Sequence, residues 1–200
     1  MDQERFEKQL AFIREIDKEK LIKRQSYLTD CVTHEDDAQH AWHMAIMTLL
    51  LREYSNTEID VLKTISMLLI HDLVEVYAGD TYAYDEEGKK TQAEREAKAA
   101  DKLYGILPDD QCEYFKSLWL EFEAQETPEA KFARTMDCVQ PLILNDATDG
   151  KAWKDHDVRR SWVMNRNRNT AKGSEEIWEY ARENLIEKNV RNGNIIDDSN

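Results

Sequence analysis

The apolar run Ile65–Ile70 ends directly in His71-Asp72, with Glu75 and Asp80 close behind. A helix that is apolar on nearly every side must be buried, so other elements have to wrap it. Its end then delivers an imidazole and carboxylates to a place where buried polar groups need partners. At the helical advance of 100° per residue, His71 and Asp72 point to adjacent directions, and Glu75 lies one turn beyond both on the same face. This is half of a metal site, and the remainder of the chain has to supply the other half.

The surrounding sequence favours helices nearly throughout, with 6 Gly and 3 Pro in 200 residues. We therefore expect an all-α domain, a helical bundle around the buried helix. The stripe Phe6, Leu10, Ile13, Ile16 and Leu21 predicts a first helix over Gln3–Arg24, followed by a loop over Gln25–Glu35. A second helix is expected over Asp36–Tyr54, carrying His40 and His43. The buried helix should start at a cap near Asn56-Thr57-Glu58 and continue to Val76. Gly79 and Gly88 bracket an acidic, tyrosine-bearing loop that can cover a site.

Thr91-Gln92-Ala93-Glu94 predicts a helix start, with Gly105 as left-handed terminator after Tyr104. The next helix runs from Pro108-Asp109 to Gln125. Thr127-Pro128 opens another that reaches Asp146 and carries Asp137, with a kink or break expected at Pro141. Two closing helices flank Lys172-Gly173-Ser174. Residues 1–192 are expected to form a single domain and 193–200 a disordered tail.

With 41 acidic and 27 basic residues the formal charge is −14, which argues against nucleic-acid polymers and anionic membranes as partners. A small anionic substrate stays compatible if a metal and basic groups reverse the local field. Cys31, Cys112 and Cys138 are widely spaced and form no C-x-x-C pattern, so reduced thiols in a cytoplasmic protein are expected. The charged N-terminus does not resemble a signal peptide, and no apolar run has the length of a membrane span.

A ligand set of His40, His71, Asp72 and Asp137 would draw on three helices. Two neutral imidazoles with two carboxylates suit Mn²⁺, Co²⁺, Fe²⁺ or Ni²⁺, with water in the remaining positions. H-E-x-x-H and cysteine-rich spacings are absent, which disfavours zinc-protease and structural-zinc readings. Read alone, His40 is an ordinary structural histidine and Asp137 an ordinary amphipathic-helix acid.

Three segments carry a resemblance: Glu35–Ala45 (EDDAQHAWHMA), His71–Asp80 (HDLVEVYAGD) and Lys131–Asp137 (KFARTMD). In order and spacing they resemble the HD-domain metal-dependent phosphohydrolases, and within them the 5′-deoxynucleotidase-like branch. The resemblance implies a helical HD fold in which His40, His71, Asp72 and Asp137 hold one divalent ion, Mn, Co, Fe, Ni or Mg. It also implies Glu75 as the acid/base group, Asp80 as a substrate-placing residue and Arg24 as the arginine that reaches a substrate phosphate.

The implied substrate is a nucleoside 5′-monophosphate, and a homodimer is expected. Gln25 stands where the branch has a tryptophan near the sugar, so ribose discrimination does not carry over. Gln39 replaces a glutamate before the first metal histidine, removing a carboxylate that could support the ligand. The rival readings are hydrolysis of a phosphodiester or a guanosine polyphosphate, and a non-catalytic nucleotide- or metal-binding protein. His43 is expected to hydrogen-bond or pack rather than ligate, and His34 and His156 are given no role. Lys89, Lys90 and Arg134 are possible helpers.

Overall fold

The computed structural model describes residues 1–199. As expected, helices dominate, with one small two-stranded sheet. The first helix, α1 (Gln3–Glu15), begins where the Asp2 side chain accepts from the Arg5 amide. It stops well short of Arg24. A 3₁₀ stretch, Ile16–Leu21, leads into strand β1 (Lys23–Tyr27), which pairs antiparallel with β2 (His34–Asp36).

The expected helix end and loop are thus a hairpin. Pairing satisfies the strand backbone, and the extended chain brings Arg24 to the buried Asp37 and the half-buried Asp72. At the hairpin turn the Asp30 carboxylate accepts from the Val32 and Thr33 amides at 2.9 Å each.

Helix α2 (Asp37–Leu51) starts with a capping box between Asp36 and Gln39. Helix α3 (Val61–Ile70) is capped by Asp60, whose carboxylate accepts from the Lys63 amide, rather than by the Thr57 group. Met67 and Leu68 are fully buried as expected of the central helix, while Leu69 opens to solvent at 45%. The helix ends at Ile70 instead of continuing to Val76. A 3₁₀ turn, His71–Val74, and a one-turn helix α4 (Glu75–Ala78) follow. Tyr104 donates from its hydroxyl to the Ile70 carbonyl at 3.1 Å, satisfying the helix end just where the polar cluster begins.

Gly79, at φ 75°, turns the chain out of α4. The segment beyond is tied down by Arg95, which donates to the Ala78 carbonyl and to Thr81 Oγ1. Arg95 lies on α5 (Glu86–Tyr104), which Asp85 caps several residues ahead of the expected Thr91 start. Gly105 at its end has φ −63°, so it is not the expected left-handed terminator. Helix α6 (Asp109–Ala124) ends instead on a left-handed residue, Gln125, at φ 52°.

Helix α7 (Pro128–Ala147) has the expected Thr127 cap and proline in its first turn. It continues through Pro141 without the expected break, because residues on both sides of the proline, Met136 and Val139 before it and Leu142 and Leu144 after it, are anchored in the core.

Short helices α8 (Lys151–Asp155), α9 (Arg160–Arg166), α10 (Glu175–Ala181) and α11 (Lys188–Arg191) close the chain, with a π-helical turn over Arg182–Glu187. The stretch expected to fray is held down. Ile195 is 1% exposed, the Ile196 amide donates to Val158 and its carbonyl accepts from the Arg160 amide, both at 2.9 Å. Asn200, part of that expected tail, lies outside the described residues. Among the described residues no helix is long and apolar enough to cross a membrane.

Candidate metal centre

The centre lies where α3 gives way to its 3₁₀ turn, between α2 and α7. His71 is 5% exposed and packs its ring on Phe122, with centroids 4.7 Å apart. Its Nδ1–H donates to the Leu68 carbonyl at 2.9 Å, which leaves Nε2 as the atom facing inward. That nitrogen is buried with no hydrogen-bond partner, 3.1 Å from Asp72 Oδ2 and 3.9 Å from Asp137 Oδ1.

His40, from α2, is oriented in the same way by a different partner. Its Nδ1–H donates to Gln140 Oε1 at 2.9 Å, and Gln140 Nε2 donates to Glu35 Oε1 at 2.6 Å. The glutamine amide is therefore fixed, the histidine tautomer follows, and Nε2 faces Asp137 Oδ1 at 3.2 Å. Ligand atoms of His40, His71 and Asp72 all lie within 4.8 Å of one another.

Lone pairs aimed at carboxylate oxygens repel unless a proton or a cation stands between them. Burial lowers His40 to about 4, aided by the nearby Arg24, so it is a neutral imidazole at neutral pH. His71 behaves oppositely. Burial works against its charged form, but Asp72 and Asp137 push it up to about 9, so without an ion a proton occupies the place a cation would take. Asp72 and Asp137 stay far below the usual carboxylate range despite burial, Asp72 through His71 and Arg24, Asp137 through Arg134 and the histidines. Two imidazole nitrogens and two permanently ionised carboxylates fit a divalent ion of the borderline class.

Asp137 also accepts, on Oδ2, from Arg134 at 2.7 Å and from Arg166 at 3.0 Å. Both arginines keep one oxygen occupied and leave Oδ1 toward the histidines. Arg134 stands one helical turn before Asp137 and Gln140 one turn after it, a one-face spacing on α7 that a helix reading can find. Arg166 reaches Asp137 from α9, and nothing in its local sequence signals that.

A cavity of about 390 Å³ opens over this cluster, lined by Arg24, His71, Asp72, Glu75, Asp80 and Asp137 among others. The cluster thus brings together every residue expected to act, with His40 behind the lining. Arg24 donates from Nη1 to Asp37 at 3.0 Å and to Asp72 at 2.9 Å, while its buried Nε has no hydrogen bond and lies 3.8 Å from Glu35 Oε2. Glu75 is 7% exposed and is raised well above its usual range by burial, then by Asp72, Asp37 and Asp80. Asp80 is raised by burial against the pull of Arg24.

Gln25 also lines the cavity and is hydrogen-bonded to His156 at 3.0 Å, giving that histidine a contact the sequence did not suggest. Tyr82, Tyr84 and Trp153 also line the cavity. Gln39 does not support His40. Its side chain accepts from the Asp36 amide at 3.0 Å, and Gln140 holds His40 instead. His43 receives Gln140 Nε2 on Nδ1 at 3.1 Å, consistent with a hydrogen-bonding neighbour. His34 donates from Nδ1 to the Arg24 carbonyl at 2.8 Å and braces the hairpin.

Residues 16–178 match the model of the HD domain. The chain is 29% identical over 136 residues to the 5′-deoxynucleotidase HDDC2 of Bos taurus, covering 67% of this chain and 64% of that protein. The human protein of the same name is 27% identical over 135 residues, covering 67% and 65%. The chain thus spans just under two thirds of the length of these curated relatives. A crystal structure described as a predicted metal-dependent phosphohydrolase from Magnetospirillum magnetotacticum is 44% identical, with a TM-score of 0.91 over 96% of both chains.

Proposed function

The chain belongs to the HD-domain family, and we propose that it is a metal-dependent phosphohydrolase that removes phosphate from nucleoside 5′-monophosphates. The observation that carries this reading is the pair of buried, inward-facing imidazole nitrogens set against two ionised carboxylates beneath a cavity walled by Arg24. Relatives named 5′-deoxynucleotidases support the substrate class.

His40, His71, Asp72 and Asp137 would hold one divalent ion, of the Mn, Co, Fe, Ni or Mg class. When bound, such an ion lowers the pKa of coordinated water and neutralises phosphoryl oxygens. Arg24 meets the phosphate with its fixed fork of donors. Glu75, raised by burial well above the usual carboxylate range, gives a proton to the leaving 5′-oxygen as the P–O bond breaks and takes one from the attacking water. Asp80 accepts from a sugar hydroxyl, and Tyr82, Tyr84 and Trp153 provide faces for the base. Gln25 lines the same cavity, and the ratio of ribo- to deoxyribonucleotide turnover reads its effect on the sugar.

Three free cysteines fit a reducing compartment, and we place the protein in the cytoplasm. A homodimer is supported by the exposed apolar side chains of Trp42, Ile46, Leu49 and Leu50 on one flank of α2.

The test is phosphate release from a panel of ribo- and deoxyribonucleoside 5′-monophosphates with Mn²⁺, Co²⁺, Ni²⁺, Mg²⁺ or chelator. Chelator-sensitive release, abolished together with metal retention in Asp72→Ala, is the expected result. Full activity in that variant would overturn the mechanism, and silence across the panel would overturn the substrate class.

A further inference from the structure

Asp37 is the first residue of α2 and is completely buried. It stands behind the cavity wall rather than on it, with Arg24 and Glu75 in front. An acid at this depth needs a reason, since an unpaired buried carboxylate is among the costliest groups a fold can hold.

One half of its pairing is plain. Oδ1 accepts from Arg24 Nη1 at 3.0 Å. Oδ2 has no donor, and neither has the buried Oε2 of Glu75. The two carboxyls lie within hydrogen-bonding reach of one another. Two carboxyl groups in contact can satisfy each other only if one of them carries a proton. Arg24 stabilises the ionised form of Asp37, which leaves the proton with Glu75. The charged groups facing the pair are Glu19 from the 3₁₀ stretch, Arg24 from β1, Glu35 from β2, and Asp72 and Asp80 on either side of α4.

We infer that Asp37 is a positioning residue for the reaction: one carboxyl oxygen clamps Arg24, and the other holds Glu75 as a protonated acid facing the cavity. This rests on the reading of Glu75 as the acid given above. Asp37 touches no substrate. The water oxygen bonds to phosphorus as the P–O5′ bond breaks. The Glu75 proton passes to the leaving oxygen and the water proton returns to Glu75, so that alcohol and inorganic phosphate are the products.

The experiment compares wild type, Asp37→Asn, Asp37→Leu and Glu75→Gln, each with Mn²⁺, on the best nucleoside 5′-monophosphate of the panel and on p-nitrophenyl phosphate. The nucleotide's alkoxide needs a proton to leave, whereas nitrophenolate leaves without one. Asparagine keeps the acceptor for Arg24, but its amide donates to Glu75 and stabilises the ionised form, the wrong one for an acid. Asp37→Asn should therefore lower kcat on the nucleotide by about tenfold or more, with KM within about threefold and the aryl ester little changed. Asp37→Leu should lower kcat similarly and raise KM as well, because Arg24 loses its clamp.

Mn²⁺ affinity of Asp37→Asn by calorimetry should stay within about threefold of wild type, which a disturbed metal centre would not allow. Wild-type rates in Asp37→Asn, or an equal loss on both esters, would overturn the inference. Glu75→Gln separates the two claims. If it is fully active, Glu75 is not the acid and the inference falls with that reading; if it is impaired while Asp37→Asn is not, only the inference falls.

Discussion

At the residue scale, the centre concentrates charge that the fold must hold at a cost, and Glu19 shows the cost away from the ligands. It is 8% exposed, its Oε1 has no partner, and burial, followed by Asp72 and Asp37, pushes it up to about 8. An unfolded glutamate releases its proton near 4.5, so between that pH and about 8 the folded chain binds more protons than the unfolded one. Stability contributed at this site therefore falls as pH rises through the window and stays reduced above it.

Glu19→Gln removes the penalty. In chelator its melting temperature should exceed that of wild type most at pH 8 and above, by an amount on the order of a few kcal/mol in stability, and the gain should vanish toward pH 4.5. A gain independent of pH would reject the assignment.

At the element scale, function depends on interruption of helices as much as on their formation. Helix α3 ends at Ile70, the 3₁₀ turn His71–Val74 and Gly79 follow, and His71, Asp72, Glu75 and Asp80 all line one cavity. The closing helices are coupled to this region through α7. A β-carbon on Gly173 would lie 2.4 Å from both the Lys131 carbonyl and Thr135 Oγ1. This is backbone approaching backbone, so the neighbour cannot swing away. Gly173→Ala should cost about 1–3 kcal/mol, measured by urea denaturation. An unchanged midpoint would show that the segment around Gly173 can separate from α7 without loss.

At the scale of the whole molecule, the exposed apolar side chains of α2 continue onto α3, where Leu62 is 76% and Leu69 45% exposed. Trp42 at 63% and Leu50 at 68% are large surfaces to leave in water. Light scattering should give a dimer mass, and Trp42→Glu with Leu50→Glu should give a monomer, because each introduces a charge that an apolar contact cannot satisfy. A monomeric parent protein would reject the dimer. The same face lies on the outer side of the helix that carries His40, so the dimer would brace one ligand without lining the cavity.

What the chain alone determined is local. The apolar run into His71-Asp72, the one-turn offset of Glu75, and the cap at Thr127 are written in short-range spacing, since helix periodicity and capping act within a few residues. His40 and Asp137 were legible only through resemblance, because an imidazole or a carboxylate on one helix face looks the same whether or not it meets a partner. The tertiary structure decided the pairings made across about a hundred residues, His40 with Gln140 and Gln140 with Glu35. It also turned Lys23 and Arg24 from the expected helix, and Gln25–Tyr27 from the expected loop, into a strand, since ordering Arg24 against Asp37 and Asp72 outweighs a propensity worth tenths of a kcal/mol per residue. Burial is a property of the assembled molecule, and burial is what raises Glu75 well above its usual range and keeps the His40 imidazole neutral.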